Sequence, residues 1–225
     1  MKTITKFLQT ITLITLFLIY SCSAKIALET NYTNLDLSST HTSDLVEITK
    51  INPNIRIQTY YATENNFLKQ VLYESPKCYL CKAVAQKLDK VQKELEQIGL
   101  GLKIWDGYRP PSAQRKMWEI YPNPDFVADP KKGSKHSRGA AVDLTLINLK
   151  DETELEMPTE FDDFSFKADR KCFDGLSQKA IENRQFLEDI MIKHGFIPYV
   201  CEWWHFNDDE WEKYPLLDIN FSELE

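Results

Sequence analysis

Two short segments of the chain concentrate the residue types that bind metal ions and move protons. His136 and Asp143 lie in the run Ser134–Asp143, and Glu202 and His205 lie close together near the C-terminal end. A catalytic zinc site uses three nitrogen or oxygen ligands, leaves one position open, and works with a general base that is not a ligand. The sequence therefore predicts His136, Asp143 and His205 as metal ligands and Glu202 as the base.

The spacing within each pair constrains the backbone. His136 and Asp143 are seven positions apart, an odd offset that would place them on opposite faces of one continuous strand. A turn at Gly139 resolves this conflict, because His136 then lies on a loop and only Asp143 enters the strand. Glu202 and His205 are three positions apart, so a strand that carries both must bulge or end between them.

A structural interpretation competes with the metal site, because a lone histidine is more often a hydrogen-bonded structural residue than a ligand. His41 and His194 fit that interpretation. His41 lies in a polar segment, and His194 lies at the end of a predicted helix, where a cation suits the helix dipole. The other two of the four histidines fall beside acidic residues, and this clustering favours a metal site.

Amphipathic patterns predict the helices that frame these segments. Apolar residues recur at spacings of three and four after Ser75 and Pro76, which predicts a helix that begins there and ends at Gly99. Two further helices are predicted over 112–119 and 177–194. The apolar stripe of the first helix consists of Leu80, Val84, Leu88, Val91, Leu95 and Ile98.

Short apolar runs predict the strands. The clearest runs cover 102–106, 140–147 and 199–206, the last beginning after Pro198. Between 148 and 174 the chain is acidic and irregular, and a loop of that length in a compact domain is usually functional. Helices and strands alternate unevenly, which favours an α+β fold over a regular parallel α/β fold.

The composition is that of a globular protein. Of the 225 residues, 43% are hydrophobic and 12% are aromatic, which excludes collagen-like, coiled-coil and wholly disordered chains and suits one compact domain. The formal net charge is −7, and the sequence contains no long run of Lys and Arg. We therefore expect no nucleic-acid partner, because binding to phosphates needs a cationic face.

The first residues have the pattern of an export signal. Lys2 and Lys6 precede an apolar stretch over 7–20, which is too short and too rich in Thr for a comfortable membrane span. Cys22 and the residues before it resemble a bacterial lipobox, in which this cysteine is lipidated and becomes the N-terminus; simple cleavage near Ala24 is the alternative. We expect export to the bacterial cell envelope, with membrane attachment only through an N-terminal lipid.

The sequence divides into three parts. Residues 1–21 form the predicted signal, and 22–44 are rich in Thr, Ser and Asn, as a flexible tether is. The functional domain is predicted over 45–225. Removal of the signal with its two lysines changes the net charge from −7 to −9. The sequence does not indicate an oligomeric state.

Four cysteines remain after Cys22. Cys78 and Cys81 form a C-x-x-C pair, typical of half a zinc site or a redox pair, but no second pair follows. With Cys172 and Cys201 they allow three disulfide pairings in an exported chain, and the sequence does not choose among these. We expect a structural role, as disulfides or buried thiols, rather than thiol catalysis.

Three motifs occur together and in the order found in the zinc D-alanyl-D-alanine dipeptidases. They are D-G-Y-R-P (Asp106–Pro110), S-K-H-S-R-G-A-A-V-D-L-T-L (Ser134–Leu146) and E-W-W-H (Glu202–His205). The chain therefore resembles this family, which includes the vancomycin-resistance dipeptidase, over about 57–205. Its superfamily also contains zinc D,D-carboxypeptidases and the Hedgehog signalling domain. The resemblance implies a small α+β zinc-peptidase fold, with helices packed on a mixed or antiparallel sheet.

The resemblance also implies a role for each candidate residue. One zinc ion per chain would be bound by His136, Asp143 and His205, with Glu202 as the proton shuttle. Arg109 would stabilise the oxyanion of the tetrahedral intermediate, which suits a permanently charged guanidinium.

Three residues would bind the two ends of the dipeptide D-Ala-D-Ala, namely Ser134, Asp162 and Tyr61. Asp162 bears on specificity, since a carboxylate facing the free amino group suits a dipeptidase and obstructs a longer peptide. Two other functions stay open: a peptidoglycan D,D- or L,D-carboxypeptidase of the same fold, and a zinc-containing binding module without hydrolytic activity. Glu202 and Arg109 together argue against the binding module, because a binder needs neither a shuttle nor an oxyanion donor.

Overall fold

The computed structural model describes residues 44–224. The predicted signal, Cys22 and most of the predicted tether therefore lie outside the described residues. Within the described part of the chain, no helix is long and apolar enough to cross a membrane.

A five-stranded mixed sheet lies at the centre of the domain. Its strands, in their order across the sheet, are β2 (Arg56–Ile57), β4 (Leu100–Asp106), β5 (Ala141–Asn148), β7 (His205–Asp208) and β6 (Phe196–Pro198). β2 runs parallel to β4, and the other neighbouring pairs are antiparallel. A small antiparallel sheet pairs β1 (Leu45–Glu47) with β3 (Tyr79–Cys81). Sheet and helices together confirm the predicted α+β class.

The α-helices of the described residues flank this sheet. They are α1 (Ile48–Ile51), α2 (Lys82–Glu96), α3 (Pro111–Ile120) and α4 (Gln178–Lys193). α2 packs against β4 through a stripe of fully buried side chains that includes Val84, Leu88 and Leu95. The predictions over 112–119 and 177–194 match α3 and α4, and the Ser177 hydroxyl caps α4 by accepting from the Ala180 N–H at 3.0 Å.

The first long helix begins later than its sequence pattern predicts. The expected start at Ser75 and Pro76 is wrong, because α2 begins at Lys82 and the residues before it form β3. All three residues of β3 are buried and paired with β1, so tertiary pairing overrides the local helix signal. Leu80 accordingly belongs to a strand, and Ile98 lies beyond the helix end with 61% of its surface exposed.

The apolar run over 199–206 is not the single strand that was predicted. β6 already ends at Pro198 and β7 begins only at His205. Between them the chain reverses, and the Tyr199 N–H donates to the His205 carbonyl at 3.1 Å. We call residues 199–204 the catalytic turn because it carries Glu202, the predicted general base. β7 thus begins after Glu202, so no single strand carries both Glu202 and His205.

The predicted turn at Gly139 is confirmed. His136 lies in a short 3-10 helix, His136–Arg138, and Gly139 ends it with φ of +64°. A side chain there would also be crowded, because a Cβ atom on Gly139 would lie 3.1 Å from the Cys81 backbone nitrogen. Glycine therefore lets the chain pass from the His136 loop into β5.

Candidate active site

Neighbouring strands place three polar side chains side by side. Asp106 at the end of β4 is paired with Asp143 on β5, and Asp143 is paired with His205 at the start of β7. Directly opposite residues of antiparallel strands share a face of the sheet. The register of β4 shifts between Ile104 and Asp106, so the bulge at Trp105 turns Asp106 toward the site.

The ligand atoms of the three predicted metal ligands converge on one point. His136 Nε2 lies 3.2 Å from His205 Nδ1 and 3.4 Å from Asp143 Oδ2. His205 Nδ1 lies 2.9 Å from Asp143 Oδ1. A tetrahedral zinc ion with ligand distances of about 2.0–2.1 Å separates its ligand atoms by about 3.4 Å. The donor set and its spacing therefore fit a zinc ion.

Each histidine is oriented by a second contact that the sequence analysis missed. His136 Nδ1 lies 2.8 Å from the Gly107 carbonyl, which leaves Nε2 directed at the ligand cluster. His205 Nε2 lies 2.9 Å from Asn207 Oδ1, which leaves Nδ1 for the metal. Such partners of the second ring nitrogen fix the orientation of metal-binding histidines. The contact with Asn207 could have been predicted from the sequence, since Asn207 lies two positions after His205 and therefore on the same face of the strand.

The electrostatics of the ligands favour a cation. Burial lowers the pKa of His205 and so keeps its ring neutral. Burial opposes ionisation of Asp143, but the adjacent His136 and His205 lower the pKa of its carboxyl below the usual range. Neutral imidazoles and an ionised carboxylate are the forms that bind a metal.

Glu202 lies beside the ligand cluster without belonging to it. The residue is only 7% exposed, and its Oε2 atom is 3.9 Å from His205 Nδ1. Burial, together with the charges of Asp143 and Asp162, raises the pKa of Glu202 well above its usual value. A carboxyl group with a raised pKa can both accept and return a proton near neutral pH, and a bound dication would bring this pKa down again.

Arg109 is held at the cavity wall by a buried network. Its Nε and Nη2 atoms donate to Asp106 Oδ2 at 3.1 and 2.6 Å, and Nη1 donates to Gln114 Oε1 at 2.9 Å. The Tyr73 hydroxyl donates to the other Asp106 oxygen at 2.7 Å. Burial opposes the Arg109 charge, yet Asp106 raises the pKa of this guanidinium. The result is a permanent cation in a fixed orientation.

Asp162 and Tyr61 form the opposite, acidic side of the cavity. The Tyr61 hydroxyl lies 3.1 and 3.0 Å from the two Asp162 carboxyl oxygens. Burial, with a contribution from Asp143, raises the pKa of Asp162 well above its usual value. Asp162 has φ of +58°, a conformation that costs a non-glycine residue free energy and recurs at ligand-binding positions. No salt bridge between described residues involves Asp162, so an ammonium group would complete this site.

One cavity of about 210 Å³ brings the predicted site residues together. The predicted residues that line it are Tyr61, Arg109, Ser134, His136, Asp143, Asp162, Glu202 and His205. Ser134 also positions the metal loop, because its hydroxyl accepts from the His136 N–H at 3.2 Å. Phe126 and Phe164 add an aromatic wall, with ring centroids 4.6 Å apart. The structure therefore assembles every predicted residue except Cys22, which lies outside the described part of the chain.

Comparison with known proteins assigns the family. The Peptidase M15 family model, described as D-ala-D-ala dipeptidase, matches residues 41–222. The chain belongs to this family. The D-alanyl-D-alanine dipeptidase of Escherichia coli K12 is 36% identical over 183 residues, which cover 80% of this chain and 93% of that protein. That of Enterococcus faecalis V583 is 34% identical over 188 residues, covering 75% of this chain and 92% of the relative.

One solved structure shows a lower similarity to the chain than these relatives do. A vancomycin-resistance D,D-pentapeptidase is 17% identical with a TM-score of 0.38, covering 62% of this chain and 78% of the other. The assignment to the M15 dipeptidase family therefore rests on sequence, and it confirms the family that the ordered motifs predicted.

None of the four described cysteines of this family member lines the active-site cavity. Cys78, Cys81, Cys172 and Cys201 are all free thiols. Cys78 and Cys81 are buried, and burial raises the pKa of Cys81 to about 12. Since the thiolate is the reactive form, these two match the predicted alternative of structural buried thiols.

Proposed function

We propose that this chain is a zinc-dependent dipeptidase that hydrolyses D-Ala-D-Ala, with one zinc ion per chain. One observation carries the proposal: the ligand atoms of His136, Asp143 and His205 converge beside Glu202 and Arg109 in a single cavity. Binding alone would not require a buried carboxylate and a fixed guanidinium next to the metal ligands. The proposal also agrees with the names of the curated relatives in the family.

The protein residues divide the work of hydrolysis. When bound, zinc activates water and polarises the scissile carbonyl. Glu202 accepts a proton from the attacking water and returns it to the leaving amine as the C–N bond breaks, which releases two D-alanine molecules. Arg109 stabilises the negative charge that develops on the carbonyl oxygen, and its bonds to Asp106 and Gln114 spare it reorganisation during the reaction.

The charge of the cavity favours a dipeptide over a longer peptide. The Asp162 carboxylate would pair with the substrate ammonium. The Tyr61 hydroxyl would hold this carboxylate in place. Ser134, beside His136, would bind the other end of the substrate.

Acetylation of the substrate tests this function. The zinc-loaded protein is incubated with D-Ala-D-Ala, N-acetyl-D-Ala-D-Ala, L-Ala-L-Ala and a peptidoglycan pentapeptide, and amine release is measured. We expect cleavage of the free D,D-dipeptide only, because acetylation removes the ammonium group that would pair with the Asp162 carboxylate.

A matched variant separates the role of Asp162 from general steric exclusion. In Asp162→Asn the charge is lost at nearly constant shape, and the preference for the free over the acetylated dipeptide should shrink. Equal cleavage of the pentapeptide and the free dipeptide by the wild type would instead identify a carboxypeptidase. Absence of any hydrolysis by the zinc-loaded protein would point to the binding module.

We further propose export to the bacterial cell envelope, where peptides with D-amino acids are released from peptidoglycan. Support comes from Lys2, Lys6, the apolar run over 7–20 and the lipobox-like residues before Cys22. Cys22→Ser should move the protein from the membrane fraction to the soluble envelope fraction. An unchanged distribution would refute lipidation and leave simple cleavage near Ala24 as the route.

A further inference from the structure

Arg170 is a buried cation that lies outside the active-site cavity. It follows the short 3-10 helix Phe166–Ala168 in the long loop between β5 and α4, with 9% of its surface exposed. It does not line the cavity, and no motif of the sequence analysis contains it. Burial lowers the pKa of Arg170 to about 10, so its contacts must offset a desolvation cost.

The hydrogen bonds of Arg170 converge on the catalytic turn and on the first residue of β7. The acceptors are the carbonyls of Tyr199 (from Nε, 2.8 Å), Val200 (from the backbone N–H, 2.9 Å), Trp203 (from Nη2, 2.7 Å) and His205 (from Nη2, 3.2 Å). These carbonyls lie on both sides of Glu202 in the chain. One of them belongs to a predicted metal ligand.

The Arg170 side chain also contacts α4 and β7. Its Nη1 atom donates to Glu188 Oε2 on α4 at 2.9 Å. Its guanidinium carbon lies 4.4 Å from the ring centroid of Phe206 on β7, a cation–π distance. The guanidinium therefore links the long loop, α4 and β7 at the point where the catalytic turn leaves the sheet.

Glu202 depends on this backbone support. None of the hydrogen bonds between described residues involves the Glu202 carboxylate, so its position follows from the backbone that carries it. The residues between β6 and β7 belong to no strand, so their carbonyls need partners that a strand ladder would otherwise supply. A shift of about 1 Å in a catalytic group can lower the rate about 10²-fold.

We propose that Arg170 is a positioning residue for hydrolysis, which holds the Glu202 carboxylate beside the metal ligands by binding four carbonyls around it. Arg170 lies outside the cavity that would bind the substrate. It does not contact the atoms of His136, Asp143 and His205 that would bind the metal. The kinetic part of this inference rests on the proposed function, whereas its structural part does not.

The test uses Arg170→Met and Arg170→Lys in the zinc-loaded full-length protein. In Arg170→Met we expect kcat for D-Ala-D-Ala to fall about 10²-fold, with KM and zinc content close to the wild type. Arg170→Lys keeps the charge but cannot reach all the acceptors, so its kcat should lie between the two. In a third variant, Arg170→Ala, added guanidinium ion should restore part of the lost kcat.

A structural readout accompanies the kinetics. Hydrogen exchange of the amides over 199–205 should become faster in Arg170→Met, while exchange in α2 stays unchanged. Leu95→Ala is the matched control, because Leu95 is fully buried in α2 and its truncation lowers stability without removing a hydrogen bond to the turn. This variant should keep a near-normal kcat when assayed below its unfolding temperature.

Several results would overturn the inference. One is a wild-type kcat in Arg170→Met, and another is an equal loss of kcat in Leu95→Ala. A third is loss of zinc from Arg170→Met, which would place the defect in metal binding. A wild-type protein that does not hydrolyse D-Ala-D-Ala would refute the proposed function instead. In that case unchanged hydrogen exchange over 199–205 in Arg170→Met would still overturn the positioning role.

Discussion

Replacement of Asp106 by asparagine tests whether a buried carboxylate holds the oxyanion arginine. Asp106 has no exposed surface. Its Oδ2 atom accepts twice from Arg109, at 2.6 and 3.1 Å, and its Oδ1 atom accepts from the Tyr73 hydroxyl and the Gly107 N–H at 2.7 and 2.9 Å. Asparagine has almost the same shape, but it is neutral and must turn its NH₂ group toward one pair of donors. Arg109 would then remain buried without its counter-charge.

The expected loss is large for an isosteric change. Removal of one partner of a buried ion pair costs about 3–5 kcal/mol, since the other charge stays buried and unpaired. In a protein of this size about 1 kcal/mol lowers the melting temperature by roughly 2–4 °C. Asp106→Asn should therefore unfold roughly 6–20 °C below the wild type. The freed guanidinium should also lower kcat by about 10²–10³, the effect of losing one oxyanion donor.

Urea unfolding at a fixed zinc concentration measures the free energy of unfolding, and D-Ala-D-Ala hydrolysis measures kcat. The double variant Asp106→Asn/Arg109→Met removes both charges and should be more stable than Asp106→Asn alone. Glu152→Gln is the control, because its ion pair with Arg56 is exposed and such pairs contribute about 0–1 kcal/mol. A loss below about 1 kcal/mol in Asp106→Asn, or a double variant no more stable than the single one, would refute the reasoning.

Three further predictions concern the metal, the proton shuttle and the thiols. Glu202→Gln should retain zinc and the fold but lose about 10²–10⁴ in kcat, because an amide cannot carry the proton; a kcat near the wild-type value would exclude Glu202 as the shuttle. His136→Ala and His205→Ala should each lose zinc in metal analysis of the purified protein, and full occupancy in both would contradict the ligand assignment. Iodoacetamide should modify the partly exposed Cys172 in the native protein but not the buried Cys81, as mapped by peptide mass spectrometry; modification of both at similar rates would contradict the burial that raises the Cys81 pKa.

Much of the site chemistry was predictable because it depends on residue type and short spacing. His136 and Asp143 could belong to one site only if the chain turned between them, and Gly139 was the residue able to make that turn. In the same way the spacing of Glu202 and His205 required any strand that carried both to bulge or end between them. Amphipathic periodicity predicted α3 and α4, since each helix buries one face against neighbours that the local pattern already anticipates.

Other features were decided by partners distant in sequence. Tyr79–Cys81 has a helix signal before it and a helix after it, yet it forms a strand because β1 offers backbone donors and acceptors. The bulge at Trp105 depends on the register between β4 and β5, and only that register places Asp106 beside the site. Single-residue shifts of this kind leave no trace in hydrophobic periodicity.

Arg170 is the clearest example of a residue whose role depends on partners distant in sequence. In the sequence it is one charged residue in an acidic loop, with no spacing that relates it to Glu202. In the folded chain it supplies hydrogen bonds to carbonyls around Glu202, about 30 positions further along. Sequence alone thus determined which groups could perform the chemistry and where the chain had to turn, because these are local properties. Tertiary structure decided which distant side chains hold those groups in place, because buried polar atoms find their partners only once strand registers and loop paths are set.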